Sequence, residues 1–147
     1  MHSILQTSNK ELIKELLTID NTYDSLVYDG SPSLIDYKVD TSNSIWFILL
    51  NDGYTSGVIK LDCVNYVLWI PHIFIYKNHR GDGSEQWGKL VAEEMRIKYG
   101  AKKFLALTPY EAAKKYAEKV GFKLISTLEN SIQKDGKILN QYMLEMS

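Results

Sequence analysis

Between Asn78 and Ser84 the chain reads Asn-His-Arg-Gly-Asp-Gly-Ser, a glycine loop between an apolar run and the start of a helical pattern. Such a loop directs backbone N–H groups to the head of a helix. Unpaired donors and the helix dipole both favour negative charge there, so the loop is suited to holding a phosphate. Two nucleotide signatures come close and fail. Gly83 to Lys89 fits GxxxxGK, but Leu90 stands where a Ser or Thr hydroxyl should hold magnesium. GxGxxG fails because Gln86 takes the third glycine position. Arg80-Gly81-Asp82 also spells a cell-adhesion tripeptide, read here as coincidence because no secretory signal is legible. Upstream, His72 stands beside Pro71 and supplies an imidazole, the side chain that changes charge near neutral pH. A strand histidine hydrogen-bonded to a neighbour is the alternative reading of it.

These residues need a strand, a turn and a helix to position them. Tyr66 to Tyr76 is apolar and aromatic, suited to a strand buried on both faces. Pro71 lies inside it, and a residue without a backbone donor belongs where the ladder is already broken, at a bulge or an edge. From Ser84 a helix is expected, with Trp87, Gly88, Val91, Ala92, Met95 and Tyr99 on one face and Gly100 as its stop. Gly88 should let that helix approach the sheet. His79 is expected at the surface, and Trp46, Trp69 and Trp87 in the core.

The other elements follow in order. Met1 to Leu5 reads as a first strand. A helix capped by Ser8, with Glu11 completing a capping box, buries Leu12, Ile13, Leu16 and Leu17. Asn21 to Asp29 reads as a weaker helix, closed by Gly30 and Pro32, and the polar segment to Asn43 as a surface connection or the wall of a substrate pocket. Ser44 to Leu50 and Tyr54 to Leu61 form a hairpin about Asn51-Asp52-Gly53, and Asp62 reads as a strand-end turn residue. Lys103 to Leu107 is a short strand parallel to the one bearing His72, as a right-handed crossover requires. Thr108, Pro109 and Glu111 spell a second capping box for a helix with Ala113, Tyr116, Ala117 and Val120 inward and Gly121 at its end. Lys123 to Glu145 reads as two strands about Lys134-Asp135-Gly136.

At 147 residues the chain has room for one domain with a real core. A 45% hydrophobic and 24% charged composition fits an ordinary globular protein, and a net charge of -1 gives no basic field for nucleic acid or a membrane surface. With one cysteine, Cys63, no internal disulfide can form, and it reads as a small buried apolar residue. Three scattered histidines spell no metal site. No long apolar segment or leader pattern is legible, so a cytoplasmic protein is expected.

The segments IFIYKNHRGDG and AAKKYAEKVGF, with the order of elements around them, resemble the GCN5-related N-acetyltransferase (GNAT) superfamily. The first is similar to that family's hydrophobic strand and RxxGxG/A pyrophosphate loop, matched at Arg80 and Gly83 and departed from at Glu85. The second is similar to its alanine-rich helix ending in EKxGF. Within the superfamily the likeness is nearest to the phage-encoded and RimJ-like type, which would place the protein in a host cytoplasm. The resemblance implies an α+β fold, a mixed and mostly antiparallel sheet with helices on both faces, and acetyl transfer from acetyl-CoA to an amine of unknown identity, without a metal.

It further implies that acetyl-CoA lies where the two parallel strands splay apart. Its pyrophosphate would take the N–H groups of Arg80, Gly81, Asp82, Gly83, Ser84 and Glu85, and backbone near Phe74 and Ile75 would pair with its pantetheine. Tyr110 stands where an asparagine often contacts the cofactor. His72 is the candidate base by type and place. The position that often holds a tyrosine acid is Ala117; Tyr116, its neighbour, is the nearest hydroxyl, turned by roughly 100° on a helix. Glu85 replaces a small residue and would repel a diphosphate unless it points away. Glu85 and Ala117 motivate a second reading, a catalytically degenerate binding or virion-associated protein of the same shape. Pairing into a homodimer through the edge of the final hairpin is expected by analogy.

Overall fold

The computed structural model describes residues 1–147. Seven strands form one sheet: β1 (His2–Thr7), β2 (Ser44–Asn51), β3 (Tyr54–Asn65), β4 (Leu68–Ile75), β5 (Lys103–Thr108), β6 (Lys123–Lys134) and β7 (Lys137–Met146), in the order β1-β2-β3-β4-β5-β7-β6. All neighbours run antiparallel except β4 and β5. The four α-helices are α1 (Lys10–Leu17), α2 (Thr22–Leu26), α3 (Glu85–Tyr99) and α4 (Glu111–Val120).

Period-two alternation splits the central strands between two cores. Phe47 and Leu49 of β2, Ile59 and Leu61 of β3, and Trp69 and Ile75 of β4 pack with α3 and α4 through Trp87, Val91, Met95 and Val120. Trp46, Ile48 and Val58 face the other way, onto Ile13, Leu16 and Leu17 of α1 and Tyr23 of α2. The helices therefore cover both faces, the expected α+β arrangement, and all three tryptophans are buried.

Several local details differ from the sequence reading. Asn9, not Ser8, caps α1, its side chain accepting from Leu12 N–H at 3.1 Å. Thr108 stays in β5 opposite Tyr142, so α4 starts behind Tyr110, and Glu111 accepts the Tyr142 hydroxyl at 2.8 Å instead of capping. Strand pairing outweighs the cap here. The second helix shrinks to Thr22–Leu26. Gly88 serves helix-on-helix packing rather than the sheet: a Cβ there would lie 2.6 Å from Val120 Cγ2 and 3.3 Å from the Tyr116 hydroxyl. Cys63 is half-buried at the end of β3. No helix is long and apolar enough to cross a membrane.

Candidate active site

The parallel pair β4–β5 holds for two positions only, Leu68 opposite Lys103 and Trp69 opposite Phe104. Beyond them β5 pairs with β7 alone, so from Ile70 to Ile75 the β5-facing edge of β4 is open. Pro71 stands in this open stretch, where a missing donor costs no ladder bond on that side. Phe74 and Ile75 also lie in it, both buried. On the opposite edge β3 passes very close: a Cβ on Gly57 would lie 2.1 Å from the Phe74 carbonyl oxygen.

After β4 the chain enters the glycine loop, and its shape is fixed from several directions. The bulge between Leu49 and Leu50 leaves buried Ser56 without a partner in β2. Its carbonyl accepts Tyr76 N–H at 2.8 Å and its hydroxyl meets His79 Nδ1 at 2.9 Å. His79 is thus a half-buried anchor and not a surface residue. Asp20 accepts Lys77 N–H at 2.6 Å. Arg80 folds back, Nε donating to the Ile75 carbonyl at 2.8 Å with the guanidinium 5.1 Å from the centre of the Phe74 ring. Gly83 adopts φ 84°, in the left-handed region, and the amides of Ser84 and Gln86 close short turns onto Gly81 and Gly83. The N–H groups of Gly81, Asp82, Gly83 and Glu85 have no acceptor within the protein. Four amide donors at the head of a fifteen-residue helix suit an oxyanion group such as a diphosphate. Glu85 adds a carboxylate to the same first turn.

Tyr116 lies between α3 and α4, its hydroxyl donating to the Ser84 carbonyl at 2.9 Å. Burial, assisted by the nearby Glu85 charge, holds its pKa well above the ordinary phenol value. Ala117 is buried in the α3–α4 core. Tyr110 is half-exposed at the head of α4, its N–H held by the Thr108 hydroxyl at 3.1 Å.

The other face of β4 carries a pocket that the sequence reading did not assemble. His72 Nε2 is 2.9 Å from Asp62 Oδ2, and the two side chains are about equally half-buried, at 36% and 35% exposure. Lys60 and Asp62, two apart on β3, share this face, and the hairpin register sets His72 opposite Lys60. Asp62 Oδ1 accepts the Ser44 hydroxyl at 2.6 Å and lies 3.1 Å from Lys60 Nζ. Asp62 is therefore no turn residue. Partial burial opposes its ionisation, but the hydrogen bonds from His72 and Ser44 and the Lys60 charge outweigh that and hold the carboxyl well below the usual carboxylate range. Lys60, Asp62 and His72, with Trp46, line one side of a cavity of about 240 Å³. Leu17, Tyr23, Leu26, Tyr37 and the loop from Val27 to Pro32 wall it. The period-two spacing of Lys60 and Asp62 was the available signal, and it becomes readable only once the register with β4 is known.

The glycine loop and the Asp62–His72 pocket thus lie on opposite sides of one strand whose edge is open. No family model and no curated protein matches the sequence. Solved structures do. A Vibrio cholerae spermidine N-acetyltransferase in complex with CoA and spermine superposes with a TM-score of 0.76 at 14% identity, covering 99% of this chain and 94% of that one. The fold is that of the acyl-CoA N-acyltransferases. A mutant form of the same Vibrio cholerae enzyme, SpeG, matches with a TM-score of 0.77 at 15% identity over 99% of this chain and 92% of that one. At such identity the likeness describes the backbone, and the chemistry must come from this chain's own side chains.

Proposed function

We propose that the protein transfers an acetyl group from acetyl-CoA to a primary amine, with the donor on the α3 side of β4 and the acceptor in the pocket on the α2 side. The observation that carries the reading is the open edge of β4 between four unpaired loop amides and a histidine–carboxylate pair. The free amides of Gly81, Asp82, Gly83 and Glu85 suit the diphosphate. The Arg80 guanidinium, tied to the Ile75 carbonyl, adds a cation at the end of β4. The open edge of β4 up to Ile75 borders the pantetheine path, the Phe74 carbonyl facing β3 instead. Tyr110, at the head of α4, flanks the far side of that path. The donor supplies its acetyl group as a thioester, activated toward an amine.

The remaining steps fall to side chains, the strand edge and solvent. An ammonium cannot attack, so the acceptor must be deprotonated, and His72 takes that proton while Asp62 orients the imidazole and stabilises its charged form. Binding both partners against one strand edge supplies orientation. Tyr116, its hydroxyl already donating to the Ser84 carbonyl, braces the first turn of α3. The departing thiolate takes, through solvent at the open edge, the second proton that the nitrogen loses on acylation. A catalytically degenerate binder would leave the Asp62–His72 pair without a task, which weighs against that reading.

The test is calorimetric titration of the intact protein with CoA and with acetyl-CoA. Binding with a dissociation constant on the order of micromolar is expected. No heat at millimolar ligand would show that Glu85 closes the loop to a diphosphate, and the proposal would fail.

A further inference from the structure

We infer that the pocket on the α2 side takes a monoamine carried on one compact apolar or aromatic body and discriminates against linear polyamines. The inference rests on the transferase reading above and names its acceptor class. It follows from where the charges of the pocket are already committed. Only three lining groups can carry charge, Lys60, Asp62 and His72, and they satisfy one another. Asp62 Oδ1 is shared by Ser44 and Lys60, and Oδ2 by His72. The one carboxylate of the pocket is therefore already balanced by the Lys60 ammonium, and no second carboxylate in the lining is left to balance a further ammonium.

Two carboxylates outside the lining hold backbone N–H groups, Asp40 through Oδ1 alone. Asp40 accepts the N–H groups of Ser42 at 2.8 Å and Asn43 at 3.1 Å. Asp29 accepts those of Asp135 and Gly136 at 2.9 and 2.8 Å. The Trp46 face is also taken, since Lys60 Nζ lies 5.8 Å from the centre of that ring.

A polyamine whose reacting nitrogen has lost its proton still carries at least one further ammonium along its chain. Inside this cavity that charge would meet Leu17, Leu26, Val27 and Pro32, or the like charge of Lys60. A desolvated cation without a partner is strongly disfavoured, and a like charge nearby adds to the cost. A single amine on an apolar body meets the opposite situation. Its nitrogen can sit at His72, and its body can fill an aromatic cleft where Tyr23 and Tyr37 stand 5.0 Å apart in a tilted pair. A cavity of about 240 Å³ suits a body the size of a phenylethyl group. Sharing a backbone with a polyamine enzyme at 14% identity leaves the charges of the pocket free to differ.

The experiment compares 2-phenylethylamine with spermidine on the wild-type protein. Release of CoA thiol at saturating acetyl-CoA gives kcat/KM for each amine, and ligand-observed saturation-transfer NMR in the presence of CoA reports binding without turnover. The expected result is a kcat/KM for 2-phenylethylamine about 30-fold or more above that for spermidine. Equal use of the two amines, or a preference for spermidine, would overturn the inference. Should neither amine be acetylated, the NMR arm decides. Saturation of 2-phenylethylamine alone would uphold the acceptor class while removing the transferase reading, whereas binding of spermidine, or of neither amine, would overturn it. Lys60→Met, and Lys60→Gln should the first fold poorly, frees Asp62 Oδ1 and should narrow the ratio of the two amines by about tenfold. An unchanged ratio would show that Lys60 does not set the selection.

Discussion

On the α3 side of β4, the groups that face a ligand are backbone amides at the head of a helix. On the α2 side they are side chains drawn from β2, β3 and β4 under a roof from α1, α2 and the loop that follows. The first arrangement depends on chain shape, and that shape is fixed by Ser56, Asp20 and the returning Arg80. Any residue supplies an amide, so such a site tolerates change outside its glycines. The second depends on the identity of each group, because Asp62 is held by three donors at once. Generic recognition of a shared donor and particular recognition of an acceptor thus sit back to back on one strand, and each should be removable without the other.

The sharpest break in that comparison is His72→Ala. Loss of the base should lower kcat by about 100-fold, while CoA affinity measured by calorimetry stays within about twofold. A parallel loss of CoA binding would mean that the two faces are one site. Asp62→Asn should lower kcat less, by about tenfold, since it removes the carboxylate that orients the imidazole. The carboxyl of Asp62 is depressed in the fold. Its stabilising contribution is therefore present above the ordinary carboxylate pKa of about 3.9 and disappears as pH falls below it. Acid melts of the wild type and of Asp62→Asn should converge in that range.

Smaller effects belong to the loop. Arg80→Ala removes a cation at the end of β4 together with the hydrogen bond that ties the loop to Ile75, and should weaken CoA binding by about tenfold with the melting temperature little changed. An unchanged affinity would remove Arg80 from the site. Glu85→Gly should act in the other direction, tightening CoA binding by about fivefold at low salt and less at high salt, as expected for removal of one screened like charge. A salt-independent change would mean that bulk, not charge, is what Glu85 brings.

The same contrast explains what the sequence disclosed. The order of elements, the glycine loop and the open strand at Pro71 were readable because a left-handed turn or a missing donor restricts a single position to one or two residue types. Gly83 at φ 84° is such a position. Asp62 could not be read in that way. Its partners come from three strands, and two register shifts, between Leu49 and Leu50 and between Cys63 and Asn65, decide which side chains meet. The caps failed for a related reason. Ser8 and Asn9 are both good caps by type, and Thr108 is one by pattern, but packing of α1 and pairing of β5 settle where each helix begins.

The roof of the pocket is tied to the far end of the sheet, and this gives the mildest test. Lys134, at the tip of the β6–β7 hairpin, is almost wholly buried. Its ammonium caps the end of α2 by donating to the carbonyls of Asp24 and, at 2.7 Å, Val27. Asp29 returns the contact, its carboxylate taking both N–H groups of the hairpin turn, which hold its pKa below the ordinary value. Lys134→Met keeps the aliphatic stem but leaves those carbonyls without their donor. The loop from Val27 to Pro32 should then open more often, raising KM for the acceptor by about threefold and stability loss to about 1–3 kcal/mol. Faster amide exchange confined to residues 24 to 32, with CoA affinity unchanged, is the expected pattern. Exchange that also quickens from Gly81 to Glu85 would show that the two faces of β4 are mechanically coupled, and the separation drawn between them would have to be given up.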